Sequence, residues 1–217
     1  MAITGAIFDV DGTLLDSMGA WLTVGSDYMR SLGLEPPTGL DDAILRLSLE
    51  EAAEYLRALG VPGSAEKIHM DVNGFVEDFY ENHVAARPGV PEMLRAFREN
   101  GVRMCVATAS DRKQVEAGLE HAGILRYIDR IFTCTELSTT KHHPDIFHAA
   151  REYMGTARET TWVFEDARHS ARTAKTAGYR VCGIFDPSEP DQDGLRAVSD
   201  LYLLTFEGAE RAPELNA

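Results

Sequence analysis

The chain has no run of about 18 apolar residues, so no segment is built to cross a bilayer as a single helix. Its first residues, Met1-Ala2-Ile3-Thr4-Gly5, carry neither a basic cluster nor a cleavable apolar stretch, and no secretory leader is expected there. Cysteine is scarce. Cys105, Cys134 and Cys182 are odd in number and widely spaced, and Cys105 and Cys182 sit inside apolar runs. That pattern gives buried free thiols rather than a disulfide framework, and the expected location is cytoplasmic. Basic side chains are also few: 21 Lys and Arg stand against 35 Asp and Glu, a formal net charge of -14. Such a chain repels phosphate backbones, so neither nucleic acid nor membrane is an expected partner. A small anionic substrate would need a cation in its site. No repeat or low-complexity tract is present, and the polar end, 208–217, is expected to fray.

What is present, over 217 residues with 44% hydrophobic content, suits one or two packed domains. Short apolar runs rich in β-branched residues occur at 6–8, 102–107, 128–133, 161–164 and 179–185, with a short sixth at 201–204. Helical patterns separate them at 91–100, 111–121, 145–154 and 170–177, each followed by glycine. Continuous apolar strands joined by helices predict a parallel sheet covered on both faces. The stretch from Asp16 to Ala85 breaks this rhythm. It holds three amphipathic stripes (Trp21 to Leu32, Leu49 to Leu59, Val72 to Phe79) divided by Pro36-Pro37 and Pro62-Gly63, and no strand. The expected organisation is therefore a discontinuous α/β core, 1–15 and 86–217, with an all-helical insert at 16–85.

The first strand runs into Asp9-Val10-Asp11-Gly12-Thr13. Two carboxylates two residues apart at a strand end point to the same side, and they repel unless a cation or a retained proton relieves them. On these residues alone, a solvated Asp-Gly turn is an equal reading. Three further pieces follow strands or enter helices: Thr108 within Ala107-Thr108-Ala109-Ser110, Lys141 within Thr140-Lys141-His142-His143-Pro144-Asp145, and Glu165-Asp166. Singly they read as a helix cap, a solvated lysine and a polar loop. Together they converge on the carboxyl edge of one inferred sheet, where open α/β folds place their sites.

Phe8-Asp9-Val10-Asp11-Gly12-Thr13-Leu14, Thr108, Lys141 and Glu165-Asp166 resemble, in order, the four motifs of the haloacid dehalogenase (HAD) superfamily, over residues 3 to 186. The insert resembles the α-helical cap of its phosphoglycolate phosphatase and β-phosphoglucomutase branch. The resemblance implies a Rossmann-like sheet of order 3-2-1-4-5 with the Asp9 strand at its centre. Two departures stand out. His142 and His143 follow Lys141 where the family pattern runs Gly-Lys-Pro-x-Pro-Asp, and Ser170 stands where the fourth motif has glycine.

The resemblance further implies a phosphatase acting on a small phosphorylated metabolite through an aspartyl-phosphate; a monomer or weak homodimer is expected. Asp9 would be the nucleophile and Asp11 the acid and base. Lys141, Thr108 and the backbone at Ala109 would bind the phosphoryl group. Mg2+ would be held by Asp9, the Asp11 carbonyl and Asp166, with Glu165 assisting the metal or supporting Lys141. Asp11 favours phosphate esters over carbon–halogen bonds, because only an ester leaves an alkoxide to protonate. A β-phosphoglucomutase-like mutase is the alternative. It is disfavoured by the lack of histidine from Asp16 to Tyr28 and by Leu49, rather than arginine, after Leu47-Ser48, with Arg46 the nearest arginine. A catalytically silent binding module of the same fold is the third reading, and the retention of all the motif residues speaks against it. The insert is expected to act as a lid hinged near 14–17 and 85–89, with Trp21 either lining the substrate pocket or filling the lid's own core. The loop histidines His142, His143 and His169 are read as non-ligands.

Overall fold

The computed structural model describes every residue except Met1, Leu45, Arg46, Pro213, Glu214, Asn216 and Ala217. Arg46, weighed above as an anion contact, lies outside the described residues. The chain forms two compact units, Met1–Asp16 with Val84–Ala217, and Ser17–His83.

The first unit is built on a six-stranded parallel sheet in the order β3-β2-β1-β4-β5-β6. Its strands are β1 (Gly5–Phe8), β2 (Arg103–Thr108), β3 (Arg130–Thr133), β4 (Thr161–Glu165), β5 (Arg180–Ile184) and β6 (Leu201–Leu203). The expected order of five strands is present, and β6 extends it beyond β5. β1 pairs with β2 on one side and β4 on the other, Ile7 facing Cys105 and Val163 in register. Every residue of β1 and β4 is buried, which is why these runs read as unbroken apolar stretches.

Alternation then sorts the two faces. Ile7, Cys105, Val163 and Val181 pack with Ile146, Phe147 and Ala150 of α7 (Asp145–Met154), Ala171 and Ala174 of α8 (Arg168–Thr176), and Leu195 of α9 (Gln192–Val198). Phe8 and Phe164 point the other way, their rings 4.6 Å apart and within 6.4 Å of Phe97 on α5 (Val90–Glu99). The remaining helix of this unit, α6, spans Arg112–His121. α5 starts at Gly89, at φ +84°, where a Cβ would meet the backbone of Phe206 and Glu207 at 2.3 Å, so only glycine fits. All three cysteines are free and buried. The polar chain end packs rather than frays where it is described: Ala209–Arg211 forms a 3-10 turn, and Leu215 is buried with its carbonyl accepting from the Ile3 N–H. An apolar residue every few positions is enough to dock it.

The second unit contains α1 (Met18–Ser31), α2 (Leu40–Ile44), α3 (Leu49–Ala58) and α4 (Ala65–Asn82). Val24, Tyr28, Met29, Leu40, Ile44, Leu56, Ile68, Val72, Val76 and Tyr80 fill its interior. Ser48 and Glu51 form a reciprocal capping box that opens α3, and Ser64 caps α4. No helix among the described residues is long and apolar enough to cross a membrane.

Candidate active site

β1 is one of the two central strands of the sheet, and the ladder continues one residue past it, the Asp9 N–H donating to the Phe164 carbonyl at 3.0 Å. The chain then turns sharply. The Val10 carbonyl accepts from the N–H groups of Leu14 and Leu15 at 2.9 Å each, and Gly12 adopts φ +79°. This turn exposes the Asp11 side chain partly while keeping Asp9 buried. Across the turn the two chain crossings pair, the Asp16 N–H donating to Ala85 O and the Arg87 N–H to Leu14 O.

Glu165 and Asp166 leave the end of β4, next to Asp9, and Lys141 enters from the loop before α7. The Lys141 ammonium donates to Asp9 Oδ1 and, at 2.6 Å, to Glu165 Oε1. Thr13 Oγ1 donates to Asp166 Oδ1 at 2.8 Å. Asp9, Glu165 and Asp166 each present a carboxylate oxygen within 4.8 Å of the other two, and all three are buried. Thr108, wholly buried at the end of β2, accepts from the Ser110 N–H at 3.0 Å, while Ala109 between them is exposed. The Asp11 carboxylate accepts from Ser110 Oγ at 2.5 Å. The structure thus gathers Asp9, Glu165, Asp166 and Lys141 into one cluster, with Thr13 bonded into it, and joins Asp11 to the Thr108 loop through Ser110. Trp21 belongs to the helical unit, where its indole N–H donates to Tyr80 Oη at 2.8 Å.

The charges in this cluster do not balance. Burial pushes the Asp9 carboxyl up to about 7, against the pull of Lys141 and with the push of Glu165 and Asp11. Burial also holds Asp166 well above the usual carboxylate range, helped by Asp9 and Glu165. Lys141 is raised because its two carboxylate partners outweigh its own burial. Among the described residues, one ammonium therefore faces three buried carboxylates, and Glu165 Oε2 has no hydrogen-bond partner. A set of hard oxygen donors with surplus negative charge and one orphaned oxygen fits a divalent cation.

Three supporting residues escaped sequence reasoning. Ser110 was visible in its loop but carried no role until its bond to Asp11 appeared. Ser170, the departure from the family's glycine, donates to Glu165 Oε1 and so helps orient the carboxylate that holds Lys141. Arg87 donates from one guanidinium to Gly12 O, to Asp186 Oδ2 at 2.8 Å and to Phe185 O at 2.6 Å. Its only sequence signal was an arginine before Pro88-Gly89 at the chain's return to the core.

Residues 6–184 match the family model of the haloacid dehalogenase-like hydrolases. The chain belongs to that family. It is 29% identical over 180 residues to a phosphoglycolate phosphatase of Rhodobacter capsulatus, covering 79% of this chain and 80% of that one. It is 26% identical over 193 residues to the chloroplastic protein SUPPRESSOR OF QUENCHING 1 of Arabidopsis thaliana, covering 84% of this chain but 18% of that longer protein. Among solved structures, a putative β-phosphoglucomutase from Thermotoga maritima superposes with a TM-score of 0.86 over 99% of this chain and 100% of the other, at 22% identity, which is a likeness of fold. The family, with relatives named as phosphatases, makes the chain a phosphoric monoester hydrolase.

Proposed function

We propose that the chain hydrolyses small phosphorylated metabolites, of the sugar phosphate or phosphoglycolate kind, through a phosphorylated Asp9 and with Mg2+. The observation that carries this reading is the buried cluster of Asp9, Glu165 and Asp166 at the carboxyl edge of the sheet, answered among the described residues by Lys141 alone. Asp9 would hold Mg2+ together with Asp166 and the Asp11 backbone carbonyl, with Glu165 behind. That ion supplies the positive charge that admits a phosphate dianion to so acidic a site.

In this reading the Asp9 carboxylate attacks phosphorus, and the ester P–O bond breaks as the new P–O bond forms. Asp11 gives its proton to the leaving oxygen. It then takes a proton from the water that attacks phospho-Asp9, which releases phosphate and frees Asp9. Lys141 and Thr108 bind the phosphoryl oxygens, with the backbone at Ala109, as charge moves across them. Glu165, held by Ser170, keeps Lys141 in place. The absence of histidine from Asp16 to Tyr28 supports hydrolysis over mutase transfer. The helical unit would select among substrates, with Trp21 a contributor.

The test is a panel of sugar, nucleotide and short-acid phosphates, assayed by phosphate release with Mg2+ and with chelator. Chelator-sensitive turnover of one or more monoesters is the expected result. Activity that persists undiminished in chelator contradicts the metal role, and the absence of turnover on every ester contradicts the reading itself.

A further inference from the structure

Arg87 is four residues past the end of the helical unit, where the chain re-enters the sheet-bearing unit. It is an unusual place to bury a charge, yet its side chain is 13% exposed and that of its partner Asp186 only 4%. The anchor is rigid. Asp186 Oδ1 accepts from Ser188 N at 2.9 Å and Ser188 Oγ at 2.6 Å, and Gln192 Nε2 donates to the Asp186 carbonyl. Asp186 Oδ2 is left for Arg87 Nη1, at 2.8 Å. Arg87 Nη2 reaches Phe185 O, and the backbone N–H of Arg87 donates to Leu14 O at 3.0 Å. Both ends of the guanidinium are therefore fixed by groups outside the Asp9 cluster.

The remaining bond goes from Nη1 to the Gly12 carbonyl. Gly12 separates Asp11 from Thr13. It sits at φ +79°, and glycine visits both signs of φ with little cost, so apart from the long bond of the Thr13 N–H to Val10 O at 3.3 Å, the direction of its carbonyl depends on Arg87. The peptide that the carbonyl belongs to carries Thr13, whose hydroxyl bonds Asp166, and the preceding peptide carries Asp11. A planar fork with fixed donors can hold a carboxylate and two carbonyls at once, whereas an ammonium on a flexible stem has no such geometry.

We infer that Arg87, anchored by Asp186, is a positioning residue for the Asp11 turn: it fixes the Gly12 carbonyl and with it the direction in which Asp11 presents its carboxyl to the leaving oxygen. The inference rests on the proposed role of Asp11 as proton donor. It goes beyond that role by naming a residue that aims the donor's turn, beside the direct bond from Ser110 Oγ to the Asp11 carboxylate.

Proton donation matters more for a poor leaving group than for a good one. The test therefore compares kcat/KM, with Mg2+, on 4-nitrophenyl phosphate and on phenyl phosphate, whose phenol is the poorer leaving group. The variants are Asp11→Asn, Arg87→Lys and Asp186→Asn, with circular dichroism confirming that each is folded. Arg87→Lys is expected to lose roughly tenfold more on phenyl phosphate than on 4-nitrophenyl phosphate, in the same direction as Asp11→Asn and smaller. Asp186→Asn, which keeps volume and releases the anchor, follows at lower amplitude and serves if Arg87→Lys does not fold. Equal losses on the two esters in both clamp variants, with Asp11→Asn still discriminating, overturn the clamp alone. If Asp11→Asn itself fails to discriminate, the role of Asp11 falls and the clamp falls with it.

Discussion

The two units differ most in what they bury. Among the described residues, every buried ionisable carboxylate or ammonium (Asp9, Lys141, Glu165, Asp166 and Asp186) lies in the sheet-bearing unit. The helical unit buries apolar side chains, with Ser17 and Ser26 its only buried polar residues by the same measure. Its charges form surface pairs such as Arg30–Asp27, Arg57–Glu54 and Lys67–Asp71, which contribute little to stability. Buried charge is costly, and a cluster of it at one sheet edge supports the proposal that the sheet-bearing unit carries the reaction. The helical unit is held by packing and caps, and offers an apolar cavity of about 260 Å³ lined by Trp21, Val24, Phe75, Phe79 and Tyr80. A reaction class is thus legible in a few charged residues, whereas the helical unit's apolar interior carries no comparable chemical signature.

The sharpest way to break this contrast is Asp9→Asn. Turnover of 4-nitrophenyl phosphate should fall at least about 10³-fold, since the nucleophile is gone. The melting temperature of the metal-free protein at pH 8 should rise, because a buried negative charge has been removed. Retained turnover would remove the sheet-bearing unit's claim to the chemistry. Asp166→Ala comes next. A loss of roughly 10²-fold in kcat and a higher Mg2+ concentration for half-maximal activity are expected, read from a metal titration.

The third prediction concerns pH. Asp9 and Asp166 have folded-state values above their ordinary ones, so between those values the native state holds more protons than the unfolded state. The stability they contribute is present at low pH and is lost as pH rises through about 7, the value for Asp9. Metal-free protein should therefore melt at progressively lower temperature from pH 5 to pH 8 so far as these two groups decide it, and Mg2+ should raise the melting temperature more at pH 8 than at pH 5. An Asp9→Asn variant should show a flatter profile in the same scan. The smallest effect belongs to the helical unit. Tyr80→Phe removes the acceptor for the Trp21 indole and should cost about 0.5–1.5 kcal/mol in a urea melt, leaving 4-nitrophenyl phosphate turnover within about twofold.

Much of the sheet-bearing unit was legible because its signals are local. The β1 run, the Asp9-Val10-Asp11-Gly12 turn and the Asp145–Met154 helix closed by Gly155 each declare themselves within a dozen residues. α9 did not, because Gln192–Val198 is short and buries only Leu195, too little for an amphipathic pattern. α2, five residues long, was lost for the same reason. The residues that tune the site were illegible for a different one. Ser110 meets Asp11 across 99 positions, Arg87 meets Asp186 across 99 and Gly12 across 75. No local period reports such pairings; only the fold does. The role of Ser170 was hidden because a departure from a motif looks like loss until its hydroxyl is seen on Glu165.

The central claim, that a buried carboxylate at the end of a central strand takes the phosphoryl group, is tested most directly by trapping it. Enzyme turning over 4-nitrophenyl phosphate with Mg2+ is quenched in acid within milliseconds, digested at low pH and examined by mass spectrometry. The account predicts one added phosphoryl group, on the peptide containing Asp9, absent from Asp9→Asn and accumulating further in Asp11→Asn, where its hydrolysis loses a base. A phosphoryl group found on another residue, or turnover by direct attack of water with no protein-bound phosphate at any quench time in either wild type or Asp11→Asn, would contradict it.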